Sequence, residues 1–229
     1  SLSSIPSVVM LTPPVRVLVV VMGSTSVVSL RLLSWNVQGL GDKDKCDVVK
    51  NDVCSADPSF VCLQETKLSQ LDSRKAISFL PGRLSQFVAK HVDGSRGGVV
   101  IAWDPSSFAL VSSSESTFSL TVTFACTSMN DCLSLTNVYA PSDHSLMASF
   151  VEDMLALPPI NGAWLVVGDF NLILNPEDKN NQAINRRIMS WFRSTLNRLE
   201  LKEVYLNGIR YTWSNEHQNR PCVVMQRLG

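Results

Sequence analysis

Ala163-Trp164-Leu165-Val166-Val167-Gly168-Asp169-Phe170-Asn171 is the stretch on which the reading of this chain turns. Leu165, Val166 and Val167 form an apolar run with the length and residue types of a buried strand. Gly168 ends the run. Asp169 and Asn171 stand two residues apart, so in extended backbone their side chains project to the same side. Asp169 is an anionic acceptor able to serve as a general base, and Asn171 offers an amide donor and an acceptor. The stretch has two readings: an Asx turn closing a strand, or a polar pair held at a buried strand's end for a reaction.

The same arrangement recurs upstream. Residues 31–36 read as a strand that ends in Trp35-Asn36, and residues 60–63 as a strand that ends in Gln64-Glu65-Thr66. Polar groups at strand ends of a rigid scaffold are where function concentrates. Glu65 is a hard oxygen ligand and Asn36 can add a carbonyl oxygen, a set suited to magnesium, which keeps several waters and binds substrate phosphates. Asp169 can take a proton from an attacking water, and Asn171 can hold that water or a phosphate oxygen.

Around these points lie other elements. Residues 42–56 read as a helix capped by Asp42 or Asp44 and broken by Asp57-Pro58. Residues 97–103, 108–111, 117–126 and 132–139 read as strands, and Phe118, Leu120, Val122 and Phe124 alternate with Ser and Thr as in an antiparallel strand. Residues 146–157 fit an amphipathic helix stopped by Pro158-Pro159. Ile184, Ile188, Phe192, Leu196 and Leu199 share one helical stripe, and Arg186, Arg187, Arg193 and Arg198 lie mostly off it on a face read as solvated. Residues 211–213 and 223–225 read as short strands. Strands mostly antiparallel in type, interleaved with helices, suggest two packed sheets with helices outside.

The 229 residues are 45% hydrophobic and 17% charged, enough for a core and too apolar for disorder. Twenty basic residues balance twenty acidic ones, which argues against a dedicated nucleic-acid coat protein and leaves room for an enzyme with a local basic patch. None of the six cysteines forms a Cys-x-x-Cys pair. They read as reduced thiols of an intracellular protein, nuclear or cytoplasmic. Residues 1–29 differ in composition, with Arg16 their one charged residue. The apolar run near Arg16 is too short to span a bilayer. These residues read as an unstructured or non-native leader outside a domain of residues 30–229.

Leu-Leu-Ser-Trp-Asn-Val-Gln-Gly-Leu (32–40), Cys-Leu-Gln-Glu-Thr-Lys (62–67), Gly-Gly-Val-Val-Ile-Ala-Trp (97–103), Asn-Val-Tyr-Ala-Pro (137–141), Gly-Asp-Phe-Asn (168–171) and Tyr-Thr-Trp-Ser (211–214) occur in one order. Together they resemble the endonuclease/exonuclease/phosphatase superfamily, and within it most resemble endonuclease domains of plant LINE-type (non-LTR) retrotransposons. The resemblance implies an α/β fold, a four-layered α-β-β-α sandwich of the deoxyribonuclease I type, with the active site where strand ends of the two sheets meet. It implies that Asn36 and Glu65 hold Mg2+, with Mn2+ as the alternative. It implies that Asp169 activates water for in-line attack on a DNA phosphodiester, and that Asn171 and Tyr139 bind the scissile phosphate. It implies a monomer acting on DNA, with no membrane. Trp35, Trp103 and Trp213 are assigned to the core.

Two departures qualify the carry-over. Gln38 stands where many members have an acidic residue. The family's closing Ser-Asp-His and an earlier Arg-Leu-Asp are absent, the chain ending Arg227-Leu228-Gly229. Ser142-Asp143-His144 has the right letters in the wrong place and is read as a loop. The expectation is therefore a C-terminally truncated domain with its final strands missing and weak or no DNA cleavage. A non-catalytic remnant and a phosphatase of the same superfamily are the alternatives.

Overall fold

The two apolar runs that end in Asn36 and Asp169 belong to different sheets. A computed structural model describes residues 7–8, 15–22, 27–91, 97–126, 132–158, 160, 162–176, 185–201, 213–215 and 224–226. Val27–Asn36 (β3) lies parallel to Phe60–Gln64 (β4). Val15–Met22 (β2) flanks β3, and Val99–Trp103 (β6) and Gln86–Lys90 (β5) complete the order β2-β3-β4-β6-β5. In the second sheet Cys132–Tyr139 (β9) lies parallel to Ala163–Asp169 (β10). With Ser7–Val8 (β1), Phe108–Glu115 (β7) and Ser119–Cys126 (β8), the order there is β1-β10-β9-β8-β7. Trp213–Asn215 (β11) and Val224–Gln226 (β12) pair with each other.

Side-chain alternation explains the layering. Along β3 and β4, Leu32, Phe60 and Cys62 face inward, where they meet Leu120, Phe124, Leu135 and Val167 of the second sheet. Leu33, Val61 and Leu63 face outward onto Lys43–Ala56 (α1) and Ser73–Phe79 (α2), through Cys46, Val49, Val53 and Phe79. The second sheet's outer face, Val138, Trp164 and Val166, packs on Met147–Leu155 (α3) and Arg186–Arg198 (α4), through Phe150, Met154, Phe192 and Leu196. The result is the expected four-layered α-β-β-α sandwich. Asp42 is the N-cap of α1, accepting from the Asp44 N–H.

Several local readings change. The parallel pairs β3–β4 and β9–β10 sit at the heart of sheets expected to be mostly antiparallel; strands buried on both faces carry no alternation that would reveal direction. The sheet also runs upstream of the boundary expected at Leu30: β2, in a segment read as an unstructured leader, pairs antiparallel with β3 from Val15↔Ser34 to Met22↔Val27. Its Val-rich composition suits a strand, and β3 offers it an edge. Strand β7 runs on to Glu115, and α3 is preceded by a 3-10 turn, His144–Leu146. Helix α2 and strand β5 went unread, one too short and the other too evenly half-buried to show a period. Ile184, Tyr211, Thr212, Val223 and residues 227–229 lie outside the described residues.

One polar link crosses the apolar interior between the sheets. Gln64 Nε2, on β4, donates to Asn137 Oδ1, on β9, at 2.6 Å. It also reaches Ser34 Oγ at 3.0 Å and the Cys62 carbonyl at 3.1 Å. Asn137 Nδ2 returns to the first sheet, donating to the carbonyls of Leu63 at 3.1 Å and Val100 at 3.0 Å. Both amides are fully buried, so each hydrogen bond replaces one that water would otherwise make.

β10 approaches β9 closely at Gly168, whose φ is +138°. A Cβ there would lie 2.0 Å from the Val138 carbonyl oxygen and 2.7 Å from its nitrogen. Gly168→Ala must therefore push β10 away from β9 and hold an alanine in a glycine conformation, at a cost of about 3 kcal/mol. Equilibrium urea unfolding should show a correspondingly lower midpoint at unchanged slope, and a midpoint equal to the parent's would refute this contact.

Candidate active site

The ends of β3 and β4 are sewn together beyond the strands themselves. Val37 N–H donates to the Gln64 carbonyl at 3.0 Å, Gly39 N–H to that of Glu65 at 2.7 Å and Leu40 N–H to that of Thr66 at 2.9 Å. On the other side the N–H groups of Thr66 and Lys67 donate to the carbonyls of Gly98 and Gly97 at 3.0 and 3.1 Å. These bonds hold three non-glycine residues at positive φ: Gln38 (+51°), Glu65 (+54°) and Lys67 (+54°). Such conformations cost on the order of 1 kcal/mol each and persist where the surroundings over-determine them, commonly at functional sites. Asn171, on the opposite sheet's side, is a fourth at +51°.

In the second sheet Tyr139 and Asp169 are register partners at the ends of β9 and β10. Ala140 then links the segments that follow. Its N–H donates to the Asp169 carbonyl at 2.8 Å, and its carbonyl accepts from Asn171 Nδ2 at 2.8 Å.

The two sheets meet at Asp169. Asn36 Nδ2 donates to Asp169 Oδ2 at 2.8 Å, joining residues 133 positions apart in sequence. Asp169 Oδ1 accepts the Asn171 backbone N–H at 3.0 Å, the Asx geometry of the bland reading, so turn and site are one structure. Asn36 Oδ1 is oriented by the Gln38 N–H at 3.0 Å. Asp169 is 5% exposed. Burial raises its carboxyl above the ordinary carboxylate range and the negative charge of Glu65 adds to this, against the opposing pull of the Asn36 amide and the Asn171 N–H. Glu65 Oε1 is paired with Lys67 Nζ at 2.9 Å. Tyr139 is half-buried, its ring near Gly97, where a Cβ would lie 3.9 Å from a ring carbon.

Asn36, Glu65, Asp169 and Asn171 are thus brought to one place, with Tyr139 on the neighbouring strand. Among the described residues no group of three or more His, Cys, Asp and Glu side chains gathers that could hold a metal ion. Glu65 and the Asn36 carbonyl oxygen nevertheless suit a hard cation that relies on water and substrate for most of its shell, so the residues present fit magnesium. Asp143 caps the turn before α3 through the Ser145 N–H at 2.9 Å, as the loop reading of Ser142-Asp143-His144 requires. Trp103 is core, its indole donating to the Phe108 carbonyl at 3.1 Å, whereas Trp35 is half-buried. Arg186, Arg187, Arg193 and Arg198 are all exposed, and Arg193 Nε also donates to the Leu174 carbonyl at 2.7 Å. Gln64, Asn137 and Lys67 escaped notice as contributors. A glutamine inside an otherwise apolar strand was the available signal for the first.

The family model described as "Endonuclease/Exonuclease/phosphatase family" matches residues 33–228. Among solved structures, this chain is similar to an AP endonuclease from Archaeoglobus fulgidus at 15% identity and TM-score 0.56, over 73% of this chain and 70% of that one. It is similar to the AP endonuclease LMAP from Leishmania major at 18% identity and TM-score 0.56, over 85% and 78%. At such identities the likeness is one of fold.

The raised carboxyl of Asp169 has a sign in stability. Between the unfolded value near 4 and the higher folded value, the native state holds the extra proton, so stability falls as pH rises through that window and levels off above it. Asp169→Asn lacks this proton. In chelator-treated protein, the stability of the parent relative to Asp169→Asn should decline from about pH 4 upward and then flatten. Parallel urea-unfolding stabilities across pH 4–8 would show that Asp169 titrates alike folded and unfolded.

Proposed function

We propose that this chain, which belongs to the endonuclease/exonuclease/phosphatase family, hydrolyses DNA phosphodiesters as a divalent-metal-dependent endonuclease. The observation that carries the reading is the buried Asp169 carboxylate, clamped across the two sheets by Asn36 and along its own loop by Asn171. Its raised proton affinity suits a general base, which works best when its pKa approaches the working pH. In this reading Asp169 takes the proton of a water attacking phosphorus in line. The Asn36 amide, fixed at both ends, keeps the carboxylate aimed at that water. Asn171, whose Nδ2 is anchored on Ala140, places its amide beside the phosphate. Tyr139 donates its phenolic proton as a hydrogen bond to a non-bridging oxygen. Glu65 and the Asn36 carbonyl oxygen would hold Mg2+, with Mn2+ as the alternative; when bound, the cation supplies positive charge to the phosphoryl oxygens. Lys67 neutralises Glu65 otherwise, and must yield it.

DNA as substrate is supported by the order of the six motifs and by the AP endonucleases that share the fold. The spacing of those motifs further supports a retrotransposon-type nicking role. Among the described residues no helix is long and apolar enough to cross a membrane.

The test is nicking of supercoiled plasmid by the full chain with magnesium, Asp169→Ala serving as control. Loss of a positioned general base should lower the rate about a hundredfold to ten-thousandfold, and chelation should abolish nicking. Calorimetry should give weaker magnesium binding to Glu65→Ala than to the parent. If no nicking of the parent exceeds that of Asp169→Ala, the fold acts as a non-catalytic remnant, and equal magnesium binding would remove Glu65 from the metal.

A further inference from the structure

Helix α4 has one side that folding uses and one that it does not. Met189, Phe192, Thr195 and Leu196 are buried. Phe192 meets Phe170, the residue between Asp169 and Asn171, with ring centroids 5.3 Å apart. On the side turned away from that contact, Arg187, Trp191, Ser194 and Arg198 fall within about 60° of one another around the helix axis and form a stripe about 17 Å long. All four are exposed, and Arg186 is exposed beside them. The Arg187 guanidinium lies over the Trp191 ring, 4.9 Å from its centroid. The helix contains no Asp or Glu, and among the described residues no carboxylate pairs with Arg186, Arg187 or Arg198. Arg186 and Arg187 also stand in the first turn, the end where the helix dipole disfavours cations. Folding gains nothing from this placement, in a chain whose charges otherwise balance. Arg193 differs from the other three, since its guanidinium is held by the Leu174 carbonyl and by Asn175 Oδ1 at 2.7 Å each.

We infer that the outer stripe of α4 is a second nucleic-acid site, separate from the strand-end site, which holds single-stranded DNA. Only the choice of DNA over RNA rests on the hydrolytic reading above. Uncompensated guanidinium groups spaced along one line complement a run of phosphates, and each phosphate neutralised releases counterions. Trp191 decides the form of the strand. An exposed aromatic ring backed by a guanidinium offers a flat surface on which an unpaired base stacks. In a duplex the base faces are already stacked on one another, so only the arginines would be used. Trp191 is 41% exposed, and it is the only large apolar side chain on the stripe, too little to seat the helix in a bilayer. Cationic residues with one stacking platform thus fit a single strand and not a membrane surface. A strand held there would keep the protein on DNA while the strand-end site stays open.

The experiment measures fluorescence anisotropy of a labelled oligothymidylate with the full chain, metal chelated so that nothing is cut. Trp191→Ala should weaken binding about tenfold, the scale of one base stack, and leave binding to a duplex of equal length within twofold of the parent's. Trp191→Phe keeps a stacking ring and should stay within threefold of the parent, which separates lost stacking from a misfolded Ala variant. Arg187→Gln combined with Arg198→Gln should lower the slope of log affinity against log salt by about 1.4, which is 0.7 for each charge removed. Irradiation of the complex made with 5-iododeoxyuridine should crosslink the strand at Trp191. Parent-like affinity and salt slope in these variants, crosslinks only elsewhere, or no binding by the parent overturns the inference. So does tenfold tighter binding of the matching RNA. Binding to phosphatidylserine vesicles that the arginine variant loses, with its DNA binding unchanged, assigns the stripe to a membrane and overturns it too. Single-strand binding that behaves as expected in a chain that nicks no plasmid supports the stripe and overturns the hydrolytic reading alone.

Discussion

The arrangement depends first on a hydrogen bond between two uncharged amides. Gln64 and Asn137 face each other in the space between the sheets, where apolar side chains alone would allow sliding. Hydrophobic packing is non-directional, and a buried amide pair is not: displacement of one sheet along the other leaves donors and acceptors unpaired in a low-dielectric interior, at about 1–3 kcal/mol each. The Leu63 and Val100 carbonyls fix which way Asn137 points, and through it which way Gln64 points. Glu65 follows Gln64 directly and Tyr139 lies two residues past Asn137. The relative placement of the groups assigned to metal and to phosphate is therefore set one residue pair beneath the surface.

Above that pair, the bond from Asn36 to Asp169 repeats the connection with a charge in it. A carboxylate that is nearly out of water would ordinarily be too costly to retain. Here both oxygens accept hydrogen bonds, which offsets part of the cost and leaves a proton affinity above that of a free side chain. Rigidity comes from the ladder bonds between residues 36–40, 64–67 and 97–98, which hold three side-chain-bearing residues in left-handed backbone. Asn36, Tyr139 and Asp169 end their strands and Glu65 and Asn171 lie one and two residues past theirs, the kind of rigid support that precise placement demands.

What could be read in the sequence was whatever declared itself locally. Leu165-Val166-Val167 announced a buried strand, Asp42 a helix start, and the repeated ending of apolar runs in Asn36, Glu65 and Asp169 marked the end of the sandwich where these groups meet. Partners in space did not declare themselves. Nothing near Asn36 names Asp169, and Lys67 looks like any exposed lysine until it is found on Glu65. Parallel pairing was hidden for the same reason, because β4 and β10 are apolar on both faces. Strand β2 was hidden by composition, since a Val-rich run that carries a single charge reads equally as a leader or as the flank of a sheet.

The order of strands carries a consequence in time. The sheet that bears Asn36 and Glu65 is drawn from one contiguous stretch, β2 to β6, and the sheet that bears Tyr139 and Asp169 follows it, save for the two residues of β1. A ribosome therefore delivers one complete sheet before it has made the other. Until β9 and β10 emerge, Gln64 and Asn36 lack their partners Asn137 and Asp169 in the second sheet, and the inner face of the first sheet is an apolar surface awaiting cover. The cluster of Asn36, Glu65, Asp169 and Asn171 arises only in the docking step, when the second sheet closes over the first. A nascent or half-folded chain thus holds Asn36 and Glu65 without Asp169 and Asn171 beside them.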